Sequence, residues 1–398
     1  MAMPQRVPVA APETSKPFSP IDDSEPLMRW QRAVHLAPST GLGVGRRAVL
    51  LGAITWLPIT LWALLHGRFF TTPVGESLLQ HYGVHVRCLV VIPLFIIGEA
   101  TLQKAALRYF PQFVASGLVD DATRPAFEAA INTARRWRDA SLPWLSMIGF
   151  ALAVTFADRA TKHVDEMSWA LDSNGMLGFG GFWFAYIVRP IFIALLLGWL
   201  WRIVLLAALF MRLSRLRLSF APSHPDRAGG IGFLEGLPTA FAPVTFALSA
   251  MIASRWAHQI VYHGMTLASV KIPASVFVVV WSLLLFAPLV PLIPALWAAK
   301  RVALPSYAAM VAQQGRDVRR RWIDGTWKAE GALLQPDGIG VIADAATMYG
   351  QVRAMRLIPI GRPSLYGILL PIAVPMLIVV SLKIPIKTVL LGLLKTVM

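Results

Sequence analysis

The apolar run from Gly181 to Phe210 constrains this chain more than any other feature. An α-helix rises about 1.5 Å per residue, so about 20 apolar residues cross a hydrocarbon layer of roughly 30 Å. The run is longer than that. Over the whole chain 56% of the residues are hydrophobic and only 15% are charged, too little polar surface to cover a water-soluble globule. We therefore expect a protein that lies in a bilayer.

Hydropathy predicts an all-α, polytopic membrane protein with seven membrane-spanning helices. The predicted spans are Ala48–Leu65, Val86–Leu107, Ser141–Ala157, Gly181–Phe210, Leu237–Ile260, Ser275–Ala299 and Ser364–Leu382. With the N-terminus inside, the inner segments hold 26 of the 37 Lys and Arg residues and the outer segments hold 8. Because positive charge collects in cytoplasmic loops, this distribution predicts an N-in, C-out topology.

Three kinds of segment lie outside these spans. Residues 1–45 combine several prolines and scattered charges without hydrophobic periodicity, so we expect a disordered cytoplasmic tail before a membrane domain over 46–398. Helical spacing of apolar and basic residues predicts amphipathic cytoplasmic helices at about 111–140 and 301–362. A short interfacial helix on the outer side is predicted at about 385–398.

The candidate functional charges inside the predicted spans are Glu99, Arg189, Arg202 and Arg255. A charge at the bilayer centre costs at least about 2.5 to 3.5 kcal/mol unless it pairs or meets water, so these groups are expected to face the bundle interior. By depth, Glu99 and Arg202 are expected partners. One interpretation is structural ion pairs that fix helix register, and the other is an ion pathway. The excess of arginine favours an anion.

Three closely spaced prolines, Pro288, Pro291 and Pro294, start near the middle of the sixth span. Each proline lacks an N–H and clashes with the carbonyl four residues earlier, which predicts a kinked or discontinuous helix. Broken helices near the midplane supply ion and substrate ligands in transporters. A simple kink without such a role is the alternative, because proline is common in membrane helices.

The loop between the fourth and fifth spans carries the most distinctive motif. It combines charged side chains with three glycines, namely His224, Asp226, Arg227, Gly229, Gly230 and Gly232. One interpretation is a tight turn in which Asp226 caps the following helix and the glycines permit close packing. The other is an anion-binding nest, or a gate, at the inner mouth of a pathway. The glycine spacing and the absence of a preceding strand exclude a dinucleotide-binding fingerprint.

The sequence HPDRAGGIGFL at 224–234, together with VHVRCLVVIPL at 84–94 and ARRWRDAS at 134–141, resembles a group of bacterial multi-pass membrane proteins that carry an HPD(R/K)AGGxGFL loop. The similarity extends over most of the chain from the first span onward. The resemblance implies a bacterial inner-membrane protein. These relatives are known as uncharacterised open reading frames, so the resemblance implies no activity.

Histidine is concentrated on the predicted outer side, which holds His66, His81, His85, His163, His258 and His263. His81 and His85 are four residues apart and would share one face of a helix, as the ligands of many zinc sites do. A metal site or a pH sensor at the outer face is therefore one hypothesis. Scattered interfacial histidines are the alternative, because this spacing often arises by chance.

Together these features predict a small-ion channel or transporter with a preference for anions. Its path would run past Arg189, Glu99 and Arg202, beside the broken sixth span, to the HPDRAGG loop. Two alternatives stay open: a non-transporting protein that uses that loop as a lipid-headgroup enzyme or assembly scaffold, and a membrane sensor of pH or metal. Expected partners are the lipid bilayer, further copies of the chain and a small ion, and nucleic acid is not expected.

The sequence identifies no cofactor. It contains no HExxH metalloprotease motif, no GxSxG nucleophile elbow and no phosphate-binding P-loop. Their absence disfavours a hydrolase of those classes and an ATP-driven pump. An enzymatic activity is not predicted.

Overall fold

The computed structural model of the chain describes residues 18–22, 24–71, 76–157, 168–171, 176–324 and 338–382. Seven helices in these ranges are long and apolar enough to cross a membrane, and no strand occurs among the described residues. They are span 1 to span 7, in chain order Val44–Leu65, Tyr82–Ala115, Arg124–Ala157, Phe179–Leu213, Gly232–Tyr262, Leu267–Val318 and Arg362–Ser381. The predicted all-α, seven-span architecture is confirmed.

Spans 2, 4 and 5 form the centre of the bundle. In their most apolar windows 44%, 44% and 50% of the residues are buried, whereas the windows of spans 3, 6 and 7 are 17%, 28% and 28% buried. Span 1 packs against spans 2 and 4, and span 7 packs against span 5. Large apolar side chains remain exposed on the peripheral spans, for example Leu142, Val279 and Leu370. An apolar exterior of this kind is suited to lipid rather than water.

Several spans extend beyond the predicted hydrocarbon segments. Span 3 begins with the helix Arg124–Asp139, which buries Phe127 and Ile131 on one face, and span 6 continues as far as Val318. The helix Gly338–Arg353 lies within the predicted amphipathic segment at 301–362. The predicted C-terminal helix at 385–398 lies outside the described residues. The side of the membrane on which each segment lies stays a prediction.

Span 6 is interrupted where the prolines occur. The helix Leu267–Phe286 passes into a 3-10 segment, Ala287–Leu292, before α-helix resumes at Ile293–Val318. Within this segment the carbonyl of Val290 accepts a bond from the Ile293 N–H. The tighter 3-10 spacing thus satisfies a carbonyl that Pro294 leaves without its α-helical partner. The predicted break is present, and it packs against span 4.

Two central spans contain π-helical turns. These turns are Arg87–Val91 in span 2 and Phe184–Val188 in span 4. A proline follows each turn, Pro93 in one span and Pro190 in the other, and proline cannot donate the regular helical hydrogen bond. The wider turn re-aims the side chains at its start, which is why π turns often occur at functional sites.

Part of the expected disordered tail is folded. Residues 26–33 form the helix Pro26–Ala33, and Phe18, Ile21 and Met28 are buried. Arg138 of span 3 donates hydrogen bonds to the Ser19 carbonyl and the Ser24 hydroxyl. The expectation of disorder is wrong for the described part of the tail. Composition was misleading because hydrogen bonds and ion pairs with buried arginines stabilise this short segment. It therefore folds without the continuous apolar stripe that an amphipathic helix would show.

Candidate metal site and the buried charges

A pocket of about 700 Å³ opens beside the N-terminal ends of spans 2 and 4 and the C-terminal end of span 5. Its lining includes Arg87 of span 2, Phe184 of span 4, and Met251, Arg255 and His258 of span 5. Met251 lies eleven residues before the end of its helix at Tyr262, so the floor of the pocket is about 16 Å below that helix end. The pocket therefore reaches from one membrane face, termed the pocket face, into the bundle.

Three potential metal ligands converge at the mouth of this pocket. The donor atoms of Glu76, His81 and His258 all lie within 4.8 Å of one another. Glu76 Oε2 lies 2.9 Å from Nε2 of His258 and 3.7 Å from Nε2 of His81. His263, at the C-terminal end of span 5, places its Nε2 at 3.4 Å from Glu76 Oε1. One carboxylate thus faces three imidazole rings.

The hydrogen bonds of two of these rings orient their other nitrogens towards Glu76. His81 Nδ1 lies 2.9 Å from the Ser77 carbonyl oxygen, and His258 Nδ1 lies 2.9 Å from the Gln80 carbonyl oxygen. A carbonyl oxygen only accepts, so both Nδ1 atoms carry a hydrogen. In the neutral ring Nε2 is then the atom with a lone pair. Metal-binding histidines show the same arrangement, with the second nitrogen donating to a carbonyl or carboxylate.

Glu76 Oε2 is buried and accepts no hydrogen bond among the described residues, although His258 Nε2 is close. An acceptor oxygen that faces nitrogen lone pairs is unfavourable unless a metal ion or a proton lies between them. In a tetrahedral zinc site, ligand atoms are about 3.3 Å apart. The two measured distances from Glu76 Oε2, 2.9 and 3.7 Å, lie on either side of that value. Two imidazoles and one carboxylate are also the ligand set of several zinc and iron sites that keep open positions.

A short turn before span 2 holds the ligands in place. Residues Leu78–Gln80 form a 3-10 turn, and the Gln80 side-chain oxygen accepts a 2.8 Å bond from the Ser77 N–H. The turn is fixed to the end of span 1, because the Leu78 N–H donates to the Arg68 carbonyl at 3.0 Å. Its Gln80 carbonyl in turn binds His258. Backbone contacts therefore connect the span 1 end, the turn and span 5 before any ion is considered.

His85 is not part of this cluster. Its Nδ1 accepts a 3.0 Å bond from the Trp56 indole N–H, and its Nε2 lies 3.0 Å from the Leu78 carbonyl. Both ring nitrogens are thus occupied, so these contacts lend no support to the predicted pairing of His81 with His85 as metal ligands. The two residues do not share a helix face because His81 precedes the helix that begins at Tyr82. Sequence reasoning missed Glu76 and the partnership of His81 with His258.

Two arginines give the pocket a positive charge. The Arg87 guanidinium lies over the rings of Phe184 and Phe192, with its carbon 5.1 and 5.4 Å from their centroids. Arg255 is exposed on the pocket wall, and within the described ranges no carboxylate forms an ion pair with it. Arg189, which was predicted to lie on an ion path, also packs over Phe184, at 5.7 Å. Of the four candidate charges Glu99, Arg189, Arg202 and Arg255, Arg255 is the one that lines the pocket.

The other two predicted charges form a closed cluster deeper in the bundle. Glu99 contacts Arg202 at 3.0 Å, as expected from their depth, and it also contacts Arg47 at 2.5 Å. Glu25, from the segment before span 1, lies 3.2 Å from Arg202. All four side chains are at most 1% exposed. The sequence indicated neither Arg47 nor Glu25, because one was interpreted as a topological charge and the other as part of a tail.

Burial dominates the electrostatics of Glu25. Removal from water raises the pKa of this carboxyl, and the adjacent Arg202 opposes the rise, with a net result of about 7. Two glutamates and two arginines make the cluster formally neutral. Such a cluster is costly to disrupt, since removing one member leaves an uncompensated charge in a dry interior. The cluster connects the tail to spans 1, 2 and 4 through ion pairs, which is a structural role.

Buried aromatic side chains separate the pocket from this cluster. Glu99 lies twelve positions after Arg87 in span 2, which is about 18 Å of helix. In that interval Phe95 and Trp199 are 0% exposed, and the Trp199 indole donates to the Phe95 carbonyl at 3.2 Å. Phe192 stacks on Phe95 at 5.9 Å. The contacts of Glu99 and Arg202 therefore lend no support to an ion path through the monomer, and transport stays a prediction.

The HPDRAGG loop, at the opposite face, binds its own carboxylate. Asp226 accepts backbone N–H bonds from Ala228 at 2.8 Å, Gly230 at 3.2 Å and Gly232 at 2.8 Å. Gly232 begins the next span, so Asp226 accepts the first N–H of that helix, although the N-cap position itself is Ile231. Partial burial acts to raise the pKa of Asp226, but these three donors and His224 lower it below its ordinary range. The N–H groups of the supposed anion nest are thus directed at Asp226.

The conformation of the loop explains its glycines. Gly229 and Gly230 have positive φ angles of 67° and 92°, and Arg227 also adopts a positive φ of 54°. The Arg227 carbonyl accepts the Arg356 N–H at 2.7 Å, while the Arg356 guanidinium pairs with Glu235. Through these contacts of Arg356, the loop and the start of span 5 are bound to the segment before span 7. His224 remains half exposed beside Asp226.

Comparison of the chain with models of protein families, with curated proteins and with solved structures gave no match. The resemblance to bacterial inner-membrane proteins therefore stays a prediction from the quoted motifs. The multi-pass architecture follows from the seven helices, whereas the identity of the membrane stays a prediction. Functional inference depends on the geometry of the pocket.

Proposed function

We propose that this protein is a metal-binding membrane protein that holds a divalent transition-metal ion, of which Zn²⁺ is the type, between Glu76, His81 and His258. The observation that carries the proposal is the convergence of two oriented Nε2 atoms on a buried carboxylate oxygen that accepts no hydrogen bond among the described residues. Imidazole nitrogen and carboxylate oxygen suit Zn²⁺ better than Mg²⁺ or Ca²⁺, which prefer oxygen alone.

The position of the site supports a sensory role. Its ligands come from the turn before span 2 and from the end of span 5. A bound ion bridges these elements and favours the conformation in which they are close. His263 stands beside the set, half exposed, where it can complete the coordination or leave a position open. The sensor predicted from the outer histidines is thus the hypothesis that the contacts favour, with different ligands.

Zinc titration of the full chain in detergent micelles, after chelator treatment and in competition with a chromophoric chelator, tests the proposal. We expect one equivalent to bind. Because each variant removes a ligand, we expect Glu76→Gln, His81→Gln and His258→Gln each to raise the Kd at least about tenfold, the lower end of the effect of losing a supporting contact.

The matched control is His224→Gln, which makes the same change at a half-exposed histidine on the opposite face. It should bind zinc as the wild type does. Far-UV circular dichroism establishes that each variant keeps its helices. Wild-type zinc affinity in a folded protein that carries all three ligand substitutions would overturn the proposed function.

A further inference from the structure

We infer that the pocket behind the metal site binds a phosphate-bearing amphiphile of the membrane, with its phosphate between the bound ion and Arg87 and Arg255. The inference rests on the proposed function, since the ion is one of the three positive groups. It extends that function, because it assigns the chemical class of a second ligand.

Charge is the first observation. Arg87 and Arg255 both line the pocket, and Glu76 at its mouth is committed to the metal set. Within the described ranges no carboxylate pairs with Arg255, although this residue lies inside a span. An arginine at such depth needs water, a counter-charge or a ligand. With a divalent ion present, the ion and Arg255 both place positive charge at the pocket in a low-dielectric setting, which favours an anion.

The arrangement of the positive groups favours phosphate. The metal ligands lie at the mouth, while Arg87 and Arg255 come from different spans, one on span 2 and the other on span 5. A carboxylate has only two oxygens, whereas a phosphate monoester has three terminal oxygens and can contact three positive groups at once. Guanidinium groups match this geometry well because their planar forks bind phosphate oxygens in pairs.

The polarity of the lining favours an amphiphile over a free anion. Part of the wall is apolar, with Phe184, Met251, Ile252 and Trp256, and Met251 and Ile252 lie about two helical turns deeper along span 5 than His258. These side chains belong to membrane-spanning helices, so the apolar part of the pocket lies at the depth of lipid chains. A volume of about 700 Å³ is in the range of sites that enclose most of a drug-sized ligand. Phosphatidic acid, a phospholipid whose headgroup is a phosphate monoester, supplies both the three terminal oxygens and the apolar chains.

The test measures the binding of three soluble probes to zinc-loaded full-length protein in micelles. The probes are dioctanoyl phosphatidic acid, inorganic phosphate and dioctanoylglycerol, which lacks phosphate. We expect the phosphatidic acid to bind at least about tenfold more tightly than either other probe. Equal binding of inorganic phosphate would show a soluble anion site, and equal binding of dioctanoylglycerol would show an apolar site. Either result overturns the inference.

Arg255→Met gives the second readout, because the substitution leaves every proposed metal ligand in place. We expect unchanged zinc affinity and a loss of phosphatidic acid affinity of about 10- to 100-fold, as for a lost hydrogen bond between charged groups. Arg301→Met, which removes an exposed arginine over Trp297 away from the pocket, is the matched control. It should leave both affinities unchanged.

The two proposals fail in different ways. If the wild type binds no zinc, the metal site is wrong. If it binds zinc through Glu76, His81 and His258 but phosphatidic acid binding does not depend on Arg255, only the lipid inference is wrong. Phosphatidic acid binding that is unchanged when zinc is removed from the wild type would also overturn the inference, because the phosphate would then not contact the ion.

Discussion

Replacing Glu99 with glutamine removes the negative charge that lies between two buried arginines. The Glu99 carboxylate contacts Arg47 at 2.5 Å and Arg202 at 3.0 Å, and neither arginine side chain is more than 1% exposed. In the variant Glu25 still faces Arg202. Arg47 is left with neutral acceptors only. The interior therefore keeps one positive charge without a counter-charge.

Removing one partner of a buried ion pair costs about 3 to 5 kcal/mol, because the other charge stays in a dry environment. We expect Glu99→Gln to lower the free energy of unfolding by that amount. Glu128→Gln is the matched control, with the same change in the pair Arg124–Glu128, whose side chains are 30% and 47% exposed. An exposed pair contributes about 0 to 1 kcal/mol.

The free energy of unfolding is obtained from denaturant titration in mixed micelles, followed by tryptophan fluorescence. Trp199 reports on the cluster, since the Arg202 guanidinium lies 5.1 Å from its ring centroid. The double variant Arg47→Met, Glu99→Gln restores neutrality, so it should lose at least about 1 kcal/mol less than the two single variants together. If Glu99→Gln costs no more than Glu128→Gln, the cluster does not stabilise the fold as argued.

Two further predictions concern the tail and the HPDRAGG loop. The pKa of Glu25 is raised by burial from 4.5 to about 7, so the folded state binds a proton that the unfolded chain lacks in this interval. This contribution to stability is complete below about 4.5 and is lost as the pH rises through about 7, and denaturant titrations of Glu25→Gln should lack that pH dependence. In Gly232→Ala, the new Cβ would lie 2.7 Å from Asp226 Cβ and displace its carboxylate. We expect a loss of about 1 to 3 kcal/mol in the same assay. Gly350→Ala, where no atom lies within 4 Å of the new Cβ, should cause no loss, and a similar loss there would contradict the steric explanation.

The number and approximate position of the spans could be predicted because hydrocarbon thickness imposes a length on each apolar run. The same argument placed Glu99 and Arg202 at equal depth, and the structure pairs them. The break in span 6 followed from the chemistry of proline, which acts locally. These successes share one property: each depends on residues within a single helix or on distance along the membrane normal.

The unpredicted contacts depend on which helices are neighbours, and hydropathy carries no such information. Glu76 and His258 are far apart in sequence and meet because the turn before span 2 packs against the end of span 5. The spacing of His81 and His85 favoured a pair within one helix, but the helix begins only at Tyr82. The accumulation of histidines on one side was the available signal for the proposed metal site.

The HPDRAGG loop shows how a motif can be located correctly while its chemistry stays open. Glycines beside a carboxylate are compatible with an anion nest or with a cap, because both use backbone N–H groups at positive φ. The choice depends on where the Asp226 side chain points, and it points at the N–H groups of Ala228, Gly230 and Gly232. That orientation depends on tertiary contacts, because the guanidinium of Arg356, from the segment before span 7, donates a hydrogen bond to the Asp226 carbonyl.

The contact between Glu25 and Arg202 also sets an order of assembly. Glu25 is synthesised before its partner, which lies 177 positions further along the chain. At about 5 to 20 residues per second, translation needs about 10 to 35 s to cover that interval. Arg47 and Glu99, only 52 positions apart, are available to each other much sooner. The ion pair between Glu25 and Arg202 can therefore form only after the fourth helix has been made, whereas Arg138 of span 3 can bind Ser19 and Ser24 earlier.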